Sequence, residues 1–228
     1  MAPLPSSPPH LRLYLDTADP DRWADWLPTG IFYGVTSNPL LLERAGQQCS
    51  VENLTGLAHR AFQLGAQEVQ MQTWGATEDD LVITGQHLAA IDNRIVVKVP
   101  ITRTGTAAAA RLAAQGIRIT MTAVYARQQV LIAAALGAEY VAPYLGRIND
   151  MGLDGREELS AMQRSLDGIQ SSTRILTASI RHVEDLAYLS AEGLDTFTFS
   201  VAIAEALFDV PATLEATASF EQSALRMT

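Results

Sequence analysis

The chain has almost no cysteine: Cys49 stands alone among 228 residues, so no intrachain disulfide staples the fold, and the reducing cytoplasm is the expected setting. It has no surplus of basic charge. Sixteen Lys and Arg against 25 Asp and Glu give a formal net charge of −9, which argues against general affinity for nucleic acid, because a phosphate backbone rewards basic surfaces. A small anionic metabolite is a different matter, since one phosphate needs only two or three local donors. There is no apolar run long enough to span a bilayer, and no membrane partner is expected. The opening MAPLPSSPPH has neither a basic n-region nor an apolar h-region, so it reads as a proline-rich, disordered lead-in over residues 1–10 rather than a secretory signal. The four histidines (His10, His59, His87, His182) lack metal-ligand spacing, so no metal is expected. No glycine-rich dinucleotide or phosphate-loop fingerprint follows any candidate strand, and no cofactor is called for.

What is present is the composition of a globular protein, 48% hydrophobic and 18% charged, with length enough for one large core. Strands read at 11–18, 32–38, 68–74, 94–100, 118–124, 139–146, 173–179 and 196–201. Helical stretches stand between them. Pro39 follows Asn38 as a first helical residue should, Thr77 to Asp80 resembles a capping box opening a helix to about residue 92, and Gly116 closes the alanine-rich helix after strand four. RINDMGLDG, after strand six, reads as a loop. This rhythm predicts an α/β protein of the (β/α)8 TIM-barrel type, a single domain over 11–210, with a doubly wound open sheet as the main alternative. Residues 211–228 add a helix expected to pack on the barrel or on a neighbouring subunit.

RIVVKVP, residues 94–100, carries the sharpest chemical signal. An apolar, β-branched run reads as a strand buried on both faces, yet Lys98 stands inside it. Burial disfavours the ammonium, so such a lysine is either paired with a carboxylate or held partly neutral as a nucleophilic amine. The active site of a (β/α)8 barrel lies at the carboxyl ends of its strands. There the chain places Asp16, Asn38, Gln72, Lys98, Thr122, Tyr144 and Ser179, one for each of the first seven strands. Each has a structural alternative: Asp16 and Asn38 as helix caps, Gln72 and Thr122 as hydrogen-bonded core, Tyr144 as packing. Together they suit attack of the lysine amine on a ketone, giving an iminium that makes cleavage of a neighbouring carbon–carbon bond feasible. Tyr144, through a water held by Gln72 and Thr122, would shuttle the proton, and Asp16 and Asn38 would handle substrate hydroxyls. Arg147 and Arg181 are candidates for a phosphate site, or else surface ion pairs, Arg147 with Asp150 or Asp154 and Arg181 with Glu184.

These blocks resemble the small-subunit transaldolase family, nearest its fructose-6-phosphate aldolase branch: LYLDTAD, GVTSNPLLL, VVKVPIT, GIRITMTAVY, GAEYVAPYLGRIND and LTASIR, in order over about residues 11 to 222. The resemblance implies a class I mechanism with Lys98 as the Schiff base, Asp16 and Asn38 orienting donor hydroxyls, and Arg147, Ser179 and Arg181 holding the acceptor phosphate. Gln72 and Tyr144 match the aldolase branch, where transaldolases tend to have glutamate and phenylalanine. The implied reaction is reversible cleavage of fructose 6-phosphate into dihydroxyacetone and glyceraldehyde 3-phosphate. A ring-built homo-oligomer, a decamer, is also implied. The chain departs from the pattern at Ser37, where threonine is usual, and around Gln72, where Met71 and Trp74 add bulk and Trp74 either narrows the pocket or packs. Two alternatives stand beside the aldolase: a transaldolase, and a noncatalytic sugar-phosphate-binding barrel.

Overall fold

A computed structural model describes residues 11–227; the lead-in read over residues 1–10 lies outside the described residues. Eight parallel strands close in chain order into a barrel: Arg12–Asp16 (β1), Gly34–Thr36 (β2), Glu68–Gln72 (β3), Ile95–Pro100 (β4), Ile119–Val124 (β5), Tyr140–Pro143 (β6), Arg174–Thr177 (β7) and Thr196–Phe199 (β8). The single-domain (β/α)8 expectation holds, and closure between β1 and β8 excludes the open sheet. The helices around it are Pro20–Trp26 (α1), Pro39–Arg44 (α2), Val51–Gln63 (α3), Glu78–Ala89 (α4), Arg103–Ala113 (α5), Gln129–Ala135 (α6), Leu145–Asp150 (α7), Gly155–Gly168 (α8), Glu184–Ala191 (α9), Val201–Ala206 (α10) and Pro211–Met227 (α11).

Strand side chains alternate with a period of two, and here the alternation is by parity. Odd-numbered residues such as Leu15, Val35, Val69, Val97, Met121, Val141, Ile175 and Phe197 face the helices and form the main apolar core. Even-numbered residues face the lumen, where the only apolar cluster among the described residues is the small one of Tyr14, Val96, Tyr140, Ala142 and Leu176. The rest of the lumen is polar. Gly34 is needed in this layer: a Cβ there would stand 2.0 Å from the Glu68 carbonyl oxygen and 3.2 Å from the Tyr14 ring.

At the N-terminal end of the lumen the charges close on one another. Glu68, 1% exposed, accepts hydrogen bonds from Tyr14 Oη at 2.7 Å and Gln70 Nε2 at 2.9 Å, and pairs with Arg118. Arg118 also forks onto Glu139 at 2.6 and 2.7 Å, and Arg12 donates to Tyr140 Oη. Gln70 accepts in turn from Thr120 Oγ1 at 2.8 Å. Burial first, and the Glu68 charge second, push the Tyr14 phenol far above its ordinary value, so it remains a donor.

Several segments depart from the sequence reading, and the first three strands are shorter than read. Strand six ends at Pro143 and strand seven at Thr177, with Tyr144 and Ala178 joined by a single bridge. The expected loop after strand six instead begins as α7, because Leu145 and Ile148, three apart, bury one face; Gly152, with φ of 80°, ends that run. Helix α4 stops at Ala89 with its C-cap at Ala90, short of residue 92. Helix α11 is present, and none of its residues is buried.

Candidate active site

The strand ends open into a cavity of about 490 Å³. Asp16, Asn38, Gln72, Lys98, Tyr144, Arg147 and Ser179 all line it. Lys98 sits on β4 beside Gln72 of β3 in register and is 4% exposed. No ion pair reaches it among the described residues; burial lowers its pKa from 10.5, and the charge of Asp16, acting through space, opposes that shift in part. No carboxylate stands at ion-pair distance from Lys98 among the described residues, and burial biases its amine toward the neutral form. Asp16 is oriented from below. Thr36 Oγ1 donates to Asp16 Oδ1 at 2.6 Å, and Thr198 Oγ1 lies 2.5 Å behind Thr36 Oγ1, a chain that keeps the carboxylate's other oxygen for a ligand. Asp16 is not a helix cap, since α1 is capped by Asp19.

Asn38 does cap α2, accepting from Leu41 N–H at 3.0 Å. The cap spends its Oδ1, and its amide N–H groups remain for the cavity. Thr122 lies just beneath the cavity lining, 1% exposed, with its Oγ1 2.9 Å from Tyr144 Oη. Tyr144 is thus held at its hydroxyl by Thr122 and at its ring by Tyr125, edge-on at 5.5 Å between centroids. Ser179 reaches the cavity from a left-handed backbone, φ 58°, a conformation a non-glycine residue adopts only under tertiary constraint.

Arg181 is not brought to the cavity with the others. Its guanidinium is turned onto Asp150, Nη1 donating to Oδ1 at 2.6 Å. The ion-pair alternative was right in kind, though the partner is Asp150 rather than Glu184. Trp74 packs partly buried against the helix-side core, and Met71 is buried in the same layer, so neither narrows the cavity. Sequence reading missed Arg44, Tyr125 and Thr198, all of which line it. Thr198 carried a signal, the even parity it shares with Asp16 and Lys98. Tyr125 is odd-numbered and faces the cavity because a register shift in β5, with Ala123 at φ 61°, resets the parity. Arg44 ends the helix begun by Asn38 and had no distinguishing signal.

Residues 13–227 match the family described as transaldolase/fructose-6-phosphate aldolase. The chain belongs to that family. Relatives called probable transaldolases agree: one from Caulobacter sp. (strain K31) is 32% identical over 203 residues, covering 89% of this chain and 91% of the relative. Another, from Thermus thermophilus, is 32% identical over 207 residues, 89% and 93% of the two chains. A third, from Leptospira biflexa, is 29% identical over 217 residues, 95% and 99%. Membership of the transaldolase/fructose-6-phosphate aldolase family makes an enzyme acting by aldol or aldol-transfer chemistry the coarse assignment.

Proposed function

We propose that the chain is a cytoplasmic class I aldolase that reversibly cleaves fructose 6-phosphate into dihydroxyacetone and glyceraldehyde 3-phosphate. The observation that carries this reading is the pairing of a buried, unpaired Lys98 with a phenol, Tyr144, whose hydroxyl is held 2.9 Å from Thr122 Oγ1 on the same cavity. The neutral Lys98 amine adds to the ketose C2 carbonyl, and loss of water leaves an iminium. Asp16 takes the proton from the C4 hydroxyl. The C3–C4 electrons then flow into the iminium, releasing the aldehyde and leaving an enamine on Lys98. Tyr144, through a water bound by Gln72 and Thr122, gives a proton to C3, and the proton held by Asp16 passes back through water to the phenolate; a second water hydrolyses the resulting iminium, frees dihydroxyacetone and regenerates the amine. Asn38 orients donor hydroxyls, while Arg147 and Ser179, joined by Arg181, receive the phosphate.

The relatives' name, probable transaldolase, favours a second reading in which the enamine waits for an aldehyde acceptor. Both use Lys98. Release of glyceraldehyde 3-phosphate from fructose 6-phosphate, followed by a coupled dehydrogenase without and with erythrose 4-phosphate, separates them: release without acceptor supports the aldolase, and release only with acceptor makes the chain a transferase. The same proposal gives α11 a neighbouring copy to pack on, in a homo-oligomer. Leu214 and Phe220 on that helix are 58% and 71% exposed, apolar surface that a lone chain would leave in water.

A further inference from the structure

Arg181 is positioned two residues past Ser179, close to the cavity, yet its guanidinium is committed elsewhere. Both of its Nη nitrogens engage both carboxylate oxygens of Asp150. Asp150 also lies in the field of Arg147: its carboxyl is held below the usual carboxylate range by the Arg181 hydrogen bonds first and by the charges of Arg181 and Arg147 after them. One carboxylate thus stands among the two arginines of this side of the mouth, as a bound anion would. The helix does not explain it. Asp150 is the last residue of α7, the end at which a negative charge is disfavoured.

The arm that holds Arg181 there is built. Gly146 N–H donates to the Ser179 carbonyl at 2.9 Å, strapping α7 to the segment after β7. A Cβ on Gly146 would meet Arg181 Nε at 2.7 Å and Cδ at 3.0 Å, so the arginine stem lies across the first turn of α7, with Ser179 and the cavity at one side and Asp150 at the other. The Arg181–Asp150 pair is about half exposed, 49% and 54%, and solvent screening leaves a pair so exposed weak. A phosphate monoester carries about −1.5 to −2 charges and three acceptor oxygens, and it outbids a single carboxylate for the same fork.

We infer that Asp150 is a specificity-determining residue: it occupies Arg181 in the empty enzyme and yields it to the phosphate of the substrate, so that it sets how strongly an anionic arm must bind to be accepted. The inference rests on reading the cavity as a sugar-phosphate site. It predicts that removing the carboxylate strengthens phosphate binding. If Asp150 merely held Arg181 in a binding pose, removing it would weaken that binding instead.

Titration calorimetry with inorganic phosphate on the full chain tests this without turnover. Asp150→Asn is expected to bind phosphate about two- to fivefold tighter than the wild type, the scale of one exposed ion pair. Arg181→Met is expected to bind more weakly, and adding Asp150→Asn to Arg181→Met is expected to change nothing further, because the effect passes through Arg181. Unchanged or weaker binding in Asp150→Asn overturns the inference. So does a gain that persists in the Arg181→Met background, which would mean general relief of repulsion at the mouth. Failure of the wild type to form an adduct on Lys98 would instead overturn the aldolase reading and leave the phosphate comparison standing.

Discussion

The two ends of one barrel lumen are both polar, and they are polar for different reasons. At the N-terminal end, Glu68 and Glu139 answer Arg118 and Arg12, with Tyr14, Tyr140 and Gln70 taking part in the same hydrogen bonding and Arg12 Nε left without a hydrogen-bond partner. At the C-terminal end Lys98 has no such partner and feels Asp16 only through space. The boundary falls within one layer: Thr120, at the upper edge of the closed network, is the register neighbour of Lys98. Buried charge is tolerable where it is paired and hydrogen-bonded, and costly where it is not. The base of the lumen is therefore held mainly by paired charges, while the mouth holds a buried lysine with no carboxylate at ion-pair distance.

The largest effect expected from this contrast is at Lys98. Lys98→Met should lower kcat by about 10⁴-fold or more, as removal of a covalent nucleophile does, and should abolish borohydride trapping of a substrate adduct. The same substitution should stabilise the fold by about 1 kcal/mol, since an apolar side chain replaces an unpaired buried amine, which for a chain of this length is about 2–4 °C in Tm. The sign with pH follows from a folded pKa depressed below 10.5. The wild type regains stability as pH rises from that depressed pKa toward 10.5, so the mutant's thermal advantage should be greatest near neutrality and shrink toward pH 10.5. A purified Lys98→Met protein with undiminished activity would remove the iminium mechanism; one with a lower Tm at neutral pH would contradict the account of Lys98 as a strained group.

Glu68→Gln reverses the pattern. It leaves Arg118 with Glu139 alone and removes an acceptor from the buried phenols, which should cost about 3–5 kcal/mol, read as a large fall in Tm. Turnover per folded molecule should stay within about twofold, because Glu68 is a lumen layer away from the cavity lining. If kcat of the folded variant fell as far as it does for mouth residues, the division between the two ends would be lost.

Much of this division was legible in the sequence, and the part that was not has a physical reason. The strand–helix rhythm gave the barrel because each β/α unit is a local pattern of apolar residues and caps. Asp16, Asn38, Gln72, Lys98, Tyr144 and Ser179 meet at one cavity because the barrel architecture brings strand ends together whatever their separation in sequence, and Arg147 joins them from the segment after strand six. Arg12, Glu68 and Arg118 start or immediately precede strands, where a charge ordinarily reads as solvent-facing; their mutual pairing depends on closure of the barrel, which no local window contains. The even parity of Arg12, Tyr14, Asp16, Glu68, Gln70 and Gln72 did announce a polar lumen, and reading Arg94–Pro100 as apolar on both faces overlooked it. Arg181 was placed in the cavity by proximity to Ser179, and the Asp150 contact that draws it away arises only because residues 145–150 coil into α7 rather than forming a loop.

Tyr144→Phe sharpens the comparison at the mouth itself. It keeps the ring against Tyr125 and deletes only the hydroxyl held by Thr122. Release of dihydroxyacetone should fall by about 10²-fold, the low end of what general acid–base groups contribute, while transfer to an added aldose phosphate should fall less, raising the ratio of transfer to release. An unchanged ratio would deny the hydroxyl its proposed part in protonating the enamine.

The smallest effect should come from Asp16→Asn, read as the pH dependence of iminium trapping rather than as turnover. Asp16 is the charge that partly restores the ammonium form of Lys98 against burial. Replacing it with a neutral amide of the same shape removes that restoring influence and leaves burial unopposed, so the inflection for trapping should move to lower pH than in the wild type, and a larger fraction of the amine should be neutral near pH 7. Cleavage should nonetheless slow, because the carboxylate that takes the C4 hydroxyl proton is gone. The two responses have opposite directions, faster adduct formation and slower bond breaking, and a merely structural Asp16 would move neither in that pattern. An inflection shifted to higher pH would mean that Asp16 does not govern the lysine charge and that the mouth, like the base of the lumen, is held by some other pairing.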